Sequence, residues 1–293
     1  MWVDLLEAGI RRVLWAPALA VAGVAMTLAA LFFSAGAAAQ VPGMVNEEAV
    51  RAIMQDTKLV AEGLAAPRGL LPMPNGDLVL VEQGAGTVTR ISPDGGIKRI
   101  AGFKQPRDVA VDARGNLYVA DAGNDRIAIV TPDGKVGTWV AGLKLPVDLA
   151  FNAAGELLVC EYNALRVVAY AAPQKQRVVA SGFKPHGLDF GADGTLYIAD
   201  RTNSRIVKIG ADGRVEPFAS GTTRPVGIVI GKSGDLYVAL HDEGKVVRVT
   251  RAGKRLTILD RLKVPRDPAF DREGNLYVAE TGSGRILKLA GRF

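Results

Sequence analysis

Apolar residues return along most of this chain in short runs rich in Leu, Tyr, Val and Ile, such as Leu117–Ala120, Leu196–Ala199 and Leu276–Ala279. Turn residues such as Gly, Asn and Asp bound the runs, which is the pattern of short β-strands. The runs belong to one repeating phrase. It begins at Pro67, Pro106, Pro146, Pro185, Pro225 and Pro265, at steps of 39 or 40 residues. Each copy carries a turn glycine (Gly76, Gly115, Gly155, Gly194, Gly234, Gly274) followed by an apolar run. The expected elements per copy are strand A after the Pro, strand B after the turn glycine, strand C at the Arg-Ile or Arg-Val run, and strand D leading to the next Pro.

Four short antiparallel strands in about 40 residues make a propeller blade. A proline suits the start of strand A, where the first residue need not donate a ladder hydrogen bond. The last copy stops after its strand C at Leu289, and Lys58–Leu64 reads as a strand D with no blade of its own. Joined, they complete a sixth blade and leave no open sheet edge. The fold expected over residues 57–293 is therefore an all-β, six-bladed β-propeller with 1+3 closure of the last blade.

The first residues read differently. Arg11 and Arg12 precede an apolar run, Val13–Phe33, that ends in Ala37-Ala38-Ala39 before Gln40. Positive residues, an apolar stretch and a small-residue cleavage site form a signal peptide. The run is also long enough to span a bilayer. Residues 1–39 are expected to be a signal peptide or, alternatively, an N-terminal anchor that holds residues 13–33 in the inner membrane. Residues 40–56 are expected to be a linker or short helix. Either form leaves the propeller periplasmic or secreted if the two arginines stay inside.

The chain of 293 residues has 36 Lys and Arg against 30 Asp and Glu, a net charge of +6. That acid content argues against a polybasic arm, so no nucleic-acid partner is expected. A single cysteine, Cys160, precludes an intramolecular disulfide and reads as a buried thiol within Leu157–Cys160. A monomer is expected.

Strand order places all D–A and B–C connections on one face. Strand B ends in an acid in five blades (Glu82, Asp121, Glu161, Asp200, Glu280), and five residues later four of these carry Arg126, Arg166, Arg205 and Arg285. Regular acid–arginine pairing is expected to pin those turns. The exceptions, Glu82 with Thr87 and Leu240 with His241, Asp242 and Lys245, are candidates for function. The D–A loops place a cation before the Pro in five blades (Lys104, Lys144, Lys184, Arg224, Lys263) and Arg68, Arg107 or Arg266 after it in three. Converging loops would set up to eight cations around one channel mouth, a field that attracts anions. Arginine offers a rigid fork for carboxylate or phosphate, so that trio is the stronger part of the site.

The phrases PRDVAVDARGNLYVADAGNDRIAIV and KPHGLDFGADGTLYIADRTNSRIVKI resemble NHL repeats. The wider group includes SMP-30/gluconolactonase-like lactonases, virginiamycin B lyase, peptidyl amidating lyases and sensor propellers without catalysis. The Pro185-His186-Gly187 step and the second histidine, His241, in the neighbouring blade are similar to virginiamycin B lyase. That resemblance implies a catalytic set of His186, His241 and a carboxylate, Glu280 or Asp242. The positions matching His186 in other blades are Arg68, Arg107, Val147, Val226 and Arg266, so a three-histidine zinc site is not available there. Asp108, Asp148 and Asp267, two residues past their prolines, are candidate oxygen ligands for calcium or magnesium. The competing reading is that they bond local backbone amides, with Gly69, Gly187 and Gly227 filling the same slot. The leading functional expectation is an extracytoplasmic propeller that binds an anionic small molecule or an acidic protein partner at its basic face. The alternative is a lactonase, hydrolase or lyase dependent on a divalent metal (calcium, magnesium or zinc).

Overall fold

The computed structural model of the protein describes residues 57–291. The expected targeting segment and linker lie outside these residues. Strand β1 (Thr57–Ala61) comes first. The first blade is β2 (Pro67–Pro72), β3 (Leu78–Glu82), β4 (Thr87–Ile91) and β5 (Ile97–Ala101). The second is β6 (Pro106–Val111), β7 (Leu117–Asp121), β8 (Arg126–Val130) and β9 (Val136–Ala141). The third is β10 (Pro146–Phe151), β11 (Leu157–Glu161), β12 (Arg166–Ala172) and β13 (Lys175–Ser181). The fourth is β14 (Pro185–Phe190), β15 (Leu196–Asp200), β16 (Arg205–Ile209) and β17 (Val215–Ser220). The fifth is β18 (Pro225–Ile230), β19 (Leu236–Leu240), β20 (Lys245–Val249) and β21 (Arg255–Leu259). The sixth contains β22 (Pro265–Phe270), β23 (Leu276–Glu280) and β24 (Arg285–Leu289), with β1 as its outer strand.

The expected closure is present. β1 runs antiparallel to β24, with Thr57 opposite Leu289 and Leu59 opposite Leu287. Every blade begins its innermost strand at one of the six repeat prolines, and these inner strands touch in the ring order β2, β6, β10, β14, β18, β22 and back to β2. Apolar packing lies between blades rather than within them. One buried cluster joins the third and fourth blades through Val147, Leu158, Leu188 and Ile198. Another closes the ring between the sixth and first through Leu70, Leu80, Ala269 and Ile286. Each strand presents alternate side chains to opposite sheet faces, so each blade contributes to two such clusters. Cys160 is fully buried, as expected of an inert thiol.

One feature of the inner strands was not foreseen. In all six blades the pairing between strands A and B shifts register just after the proline: at Arg68/Leu70, Pro106/Val109, Pro146/Asp148, Pro185/Leu188, Pro225/Ile228 and Pro265/Pro268. A β-bulge bends its strand and re-aims a side chain. At these shifts the residue after the proline is Arg68, Arg107, Val147, His186, Val226 or Arg266; Arg68, Arg107, Arg266 and His186 lie close enough for their charges to act on one another, whereas Val147 packs into the core between the third and fourth blades.

Candidate anion site at the axial mouth

Backbone hydrogen bonds place the D–A and B–C loops side by side. Gln83 N donates to Ala66 O at 3.1 Å, Gly123 N to Lys104 O at 2.8 Å, Tyr162 N to Leu145 O at 3.1 Å, Arg201 N to Lys184 O at 3.2 Å and Thr281 N to Val264 O at 3.1 Å. The residue before the proline has a left-handed φ in five blades (Ala66, Gln105, Leu145, Arg224, Val264) and so turns the chain sharply into strand A.

The acids that end strand B pin this corner. Asp121 accepts from Lys104 N at 2.7 Å, Asn124 Nδ2 at 2.9 Å and Arg126 Nε at 2.7 Å. Glu161 holds Lys144 N at 3.0 Å and Arg166; Asp200 holds Asn203 Nδ2 at 2.8 Å and Arg205 Nε at 2.8 Å. Glu82, expected to be exceptional because Thr87 replaces the arginine, is satisfied by other means. Its oxygens accept from Ala65 N at 2.7 Å, Thr89 Oγ1 at 2.6 Å and Arg99 Nε at 2.6 Å. Arg99 reaches in from strand β5, so the rule survives with a different cation. Glu280, expected as a catalytic carboxylate, is a member of the same set. It is fully buried and accepts from Lys263 N at 2.5 Å, from Ser283 and from Arg285 Nε at 2.8 Å. Burial opposes its ionisation, but those bonds hold its pKa below the ordinary value. We correct that assignment: Glu280 anchors a corner and keeps no oxygen for chemistry.

The eight expected cations divide into two groups. Lys104, Lys144, Lys263 and Arg224 are exposed. Lys184 lies half-buried with Nζ over the Tyr162 ring, 5.0 Å from its centroid. Arg68 and Arg266 are instead buried at 7% and 8% exposure, and Arg107 is half-buried. A fourth arginine, Arg201, joins them from the B–C turn of the fourth blade. The Nε atoms of Arg68, Arg107, Arg201 and Arg266 are buried without a hydrogen-bond partner among the described residues. Arg201 carries no repeat signal, because the recurring pattern links the acid ending strand B to the residue five positions on. The position directly after strand B is the one that reaches the mouth; in the third, fourth and fifth blades it holds Tyr162, Arg201 and His241.

His186 sits among these arginines. Arg266 Nη1 approaches its Nε2 at 3.5 Å, so Nε2 accepts and Nδ1 carries the proton. That Nδ1 is also buried without a partner among the described residues. Burial, then the charges of Arg266, Arg201, Arg68 and Arg107, push the His186 pKa well below its usual value, so the ring is neutral. Tyr162 packs edge-on against it, with centroids 5.9 Å apart. His241 is different: its Nδ1 lies 2.5 Å from Asp242 Oδ1, and Asp242 also meets Arg224 Nη1 at 3.0 Å. Burial and Arg266 lower the His241 pKa, while Asp242 opposes them.

Burial works against proton binding at Arg68 first, followed by the charges of Arg266 and Arg107, with Asp267 in opposition. Burial likewise dominates at Arg107 and Arg266, where Asp267 again opposes. A guanidinium keeps its proton under such pressure. What the pressure expresses is positive potential that the surrounding side chains leave unneutralised, an arrangement that favours an anion.

Beneath the arginines lies a belt of carboxyl groups, expected as metal ligands. Asp108 Oδ2 accepts from Leu149 N at 3.0 Å, Asp148 Oδ2 from Leu188 N at 2.5 Å and Asp267 Oδ2 from Gly69 N at 2.9 Å. Each bond crosses to the next blade, and Asp189 repeats the device with Ile230 N at 2.8 Å. Where a glycine takes the slot, the backbones come closer instead; a Cβ on Gly187 would stand 2.1 Å from Val226 O. Among the described residues no group of three or more His, Cys, Asp or Glu side chains is gathered in a way that could hold a metal ion. The donors present therefore do not fit a resident divalent metal. The aspartates lace the ring of inner strands, each bonding an amide of the next blade where a local amide was expected. Burial raises Asp108 to about 7 and also raises Asp148, which lies beside it.

The NHL repeat family matches residues 103–130 and 184–209, in the second and fourth blades. No curated protein matches the sequence. Several solved structures share the fold. A gluconolactonase from Xanthomonas campestris is 19% identical, with 80% of this chain and 89% of that one covered at a TM-score of 0.71. A catalytically inactive virginiamycin B lyase from Staphylococcus aureus with quinupristin is 21% identical, covering 80% and 83% at 0.63. A streptogramin B lyase is 19% identical, covering 77% and 79% at 0.64. The chain is thus a six-bladed β-propeller carrying NHL repeats, alike in fold to virginiamycin B lyases and gluconolactonases.

Proposed function

We propose that this propeller binds an anionic ligand at its axial mouth, outside the cytoplasm. One observation carries the reading: four arginine Nε atoms and His186 Nδ1 are buried at one place with no partner among the described residues. Buried donors left unbonded each cost on the order of 1–3 kcal/mol, more when charged. Such a cluster is sustained by what it binds. Charge-assisted bonds from guanidinium to carboxylate or phosphate are the strongest that these donors can make. The ligand is a small anion or an acidic side chain of a protein partner.

The test is calorimetric titration of the purified full chain with sodium acetate and sodium phosphate at low chloride. Saturable heat that weakens with added salt, and that is lost in an Arg68→Gln/Arg107→Gln variant, is expected. Heat that the double variant leaves unchanged would sink the reading. The extracytoplasmic location rests on residues 1–39, and a reporter fusion active only after export checks it.

A second reading, hydrolase or lyase, is favoured by a different contact. Asp242 orients His241 through Nδ1 at 2.5 Å, and the lowered pKa leaves the ring free to accept a proton. The neighbouring arginines would stabilise negative charge formed by that step. A screen of lactones and cyclic depsipeptides, with His241→Ala as control, distinguishes it: turnover abolished in the variant supports an enzyme. No step through a metal is invoked, because the donor set does not fit one.

A further inference from the structure

The mouth has two sides, and they are chemically unequal. Ring order puts the first blade opposite the fourth and the sixth opposite the third. Arg266, Arg68 and Arg107 occupy matching bulges in three consecutive blades: the sixth, first and second. Val147, His186 and Val226 hold the matching bulges of the other three, all buried. Among the described residues, the one guanidinium on that far side whose Nε is buried without a partner is Arg201 of the fourth blade. It is anchored from one direction only, with Nη2 at 3.9 Å from Asp242 Oδ1.

Charge numbers make the same division. Counting Arg224, five arginines stand near the mouth, and the carboxylates set against them are Asp242, paired with Arg201 and Arg224, and Asp267, whose pKa burial raises against the pull of Arg68, Arg266 and Arg107. Asp242 is already engaged by His241 and Arg224, and Asp267 by Gly69 N. Asp108 and Asp148, deeper on the axis, are held toward their protonated forms by burial and by each other. A surplus of at least three positive charges remains, spread over two sides of the opening. A single carboxylate has two oxygens and about four acceptor positions, enough for roughly two guanidinium forks. Placed on the trio it leaves Arg201 unpartnered; placed on Arg201 it leaves the trio so.

We propose that the mouth takes a small organic dianion with two separated acidic groups, one on the Arg68–Arg107–Arg266 side and one on Arg201. The stretch between the acids lies along Tyr162, beside His186, where a short hydrocarbon or amide spacer loses no hydrogen bonds, and His186 Nδ1–H donates to an acid oxygen. This deepens the anion-binding reading and rests on it. A phosphate group offers the same charge on one centre, so spacing separates the two chemistries.

The experiment is calorimetry of the full chain with acetate, succinate, glutarate and inorganic phosphate in turn. One diacid per chain should bind about tenfold or more tighter than acetate, the gain expected from one further charged hydrogen-bonded pair. In Arg201→Gln the diacids should fall to within about threefold of acetate, a larger loss than acetate itself shows. Arg201→Lys, which keeps the charge and loses the fork, should retain part of the preference and guards against a folding defect, as do the thermal midpoints of both variants. Equal affinity for acetate and the diacids would overturn the proposal. So would phosphate binding tighter than either diacid and unaffected by Arg201→Gln. If acetate, diacids and phosphate are all silent, the anion-binding reading fails as well, and the acetate arm identifies that case.

Discussion

Around the rim, Asp121, Glu161, Asp200, Glu280 and Glu82 are buried acids, and every one has a cation and a backbone or hydroxyl donor to hold. On the axis a few residues away, Arg68, Arg107, Arg201 and Arg266 are also buried or half-buried charges, and their Nε atoms have no partner among the described residues. The same chain thus contains two solutions for a charge taken out of water. In the first, attraction and hydrogen bonds offset desolvation, and the group stabilises a corner of the fold. In the second they do not, and under the anion-binding proposal a ligand would make good the deficit. The rim acids recur in five blades, whereas the axial arginines fill the position after the proline in three and Arg201 comes from a different loop, so the more regular feature belongs to the fold and the less regular one to the proposed site.

The sharpest way to break this contrast is to remove a rim acid. Asp121→Ala strands Lys104 N and Arg126 and should cost about 3 kcal/mol or more in urea-induced unfolding. A loss below about 1 kcal/mol would show that the pairs are not what pins the corners. An axial arginine should behave in the opposite sense. Arg68→Met removes a buried, unpaired charge at nearly constant length, so stability should rise by about 1–3 kcal/mol while acetate affinity drops about tenfold or more. If the variant is destabilised instead, the axial charge is compensated in a way the geometry does not reveal.

The acid belt sharpens the comparison through pH. The folded pKa of Asp108, about 7, stands above the ordinary aspartate value near ~3.9. Between those limits the native state holds a proton that the unfolded chain has lost. Stability therefore falls as pH rises from about 4 to about 7 and levels off above. Asp108→Asn should flatten that decline by on the order of 1–3 kcal/mol, visible as a smaller drop in thermal midpoint between pH 5 and pH 8. Smallest of all should be Lys263→Gln. This lysine is exposed, and only its backbone N–H serves the corner, so stability should move by less than about 0.5 kcal/mol and anion affinity by less than about twofold. A larger loss of affinity would restore the wide ring of cations to the site.

Much of the architecture could be read before any coordinates. Six prolines at steps of 39 or 40 residues, a last copy lacking strand D and an unattached strand ahead of the first lead directly to a closed ring of six blades. These are local and periodic signals, and strand pairing within a blade obeys them because each partner lies within one repeat. The acid–arginine pairs were legible for the same reason, five residues apart across one turn. Glu82 was misjudged because its cation, Arg99, comes from strand β5 and the five-residue rule does not reach it.

The site depended on relations between blades. His186 meets Arg266 80 positions away, and Asp108 reaches the backbone of Leu149 41 positions on. Nothing in the order of residues indicates that a register shift follows each proline, or that Arg201 comes from another loop to stand near Arg68, Arg107 and Arg266. Composition and periodicity by themselves determined the number of blades, the manner of closure, the face that carries the cations and the burial of Cys160. Only the tertiary structure decided which cations are buried and unpartnered, that Glu280 is spent on Lys263 N, Ser283 and Arg285, and that Asp108, Asp148 and Asp267 lace neighbouring strands. The physical reason is that strands form from near neighbours in sequence. Desolvation of a charge and its compensation depend on every atom that surrounds it, and around a closed axis those atoms come from all six blades.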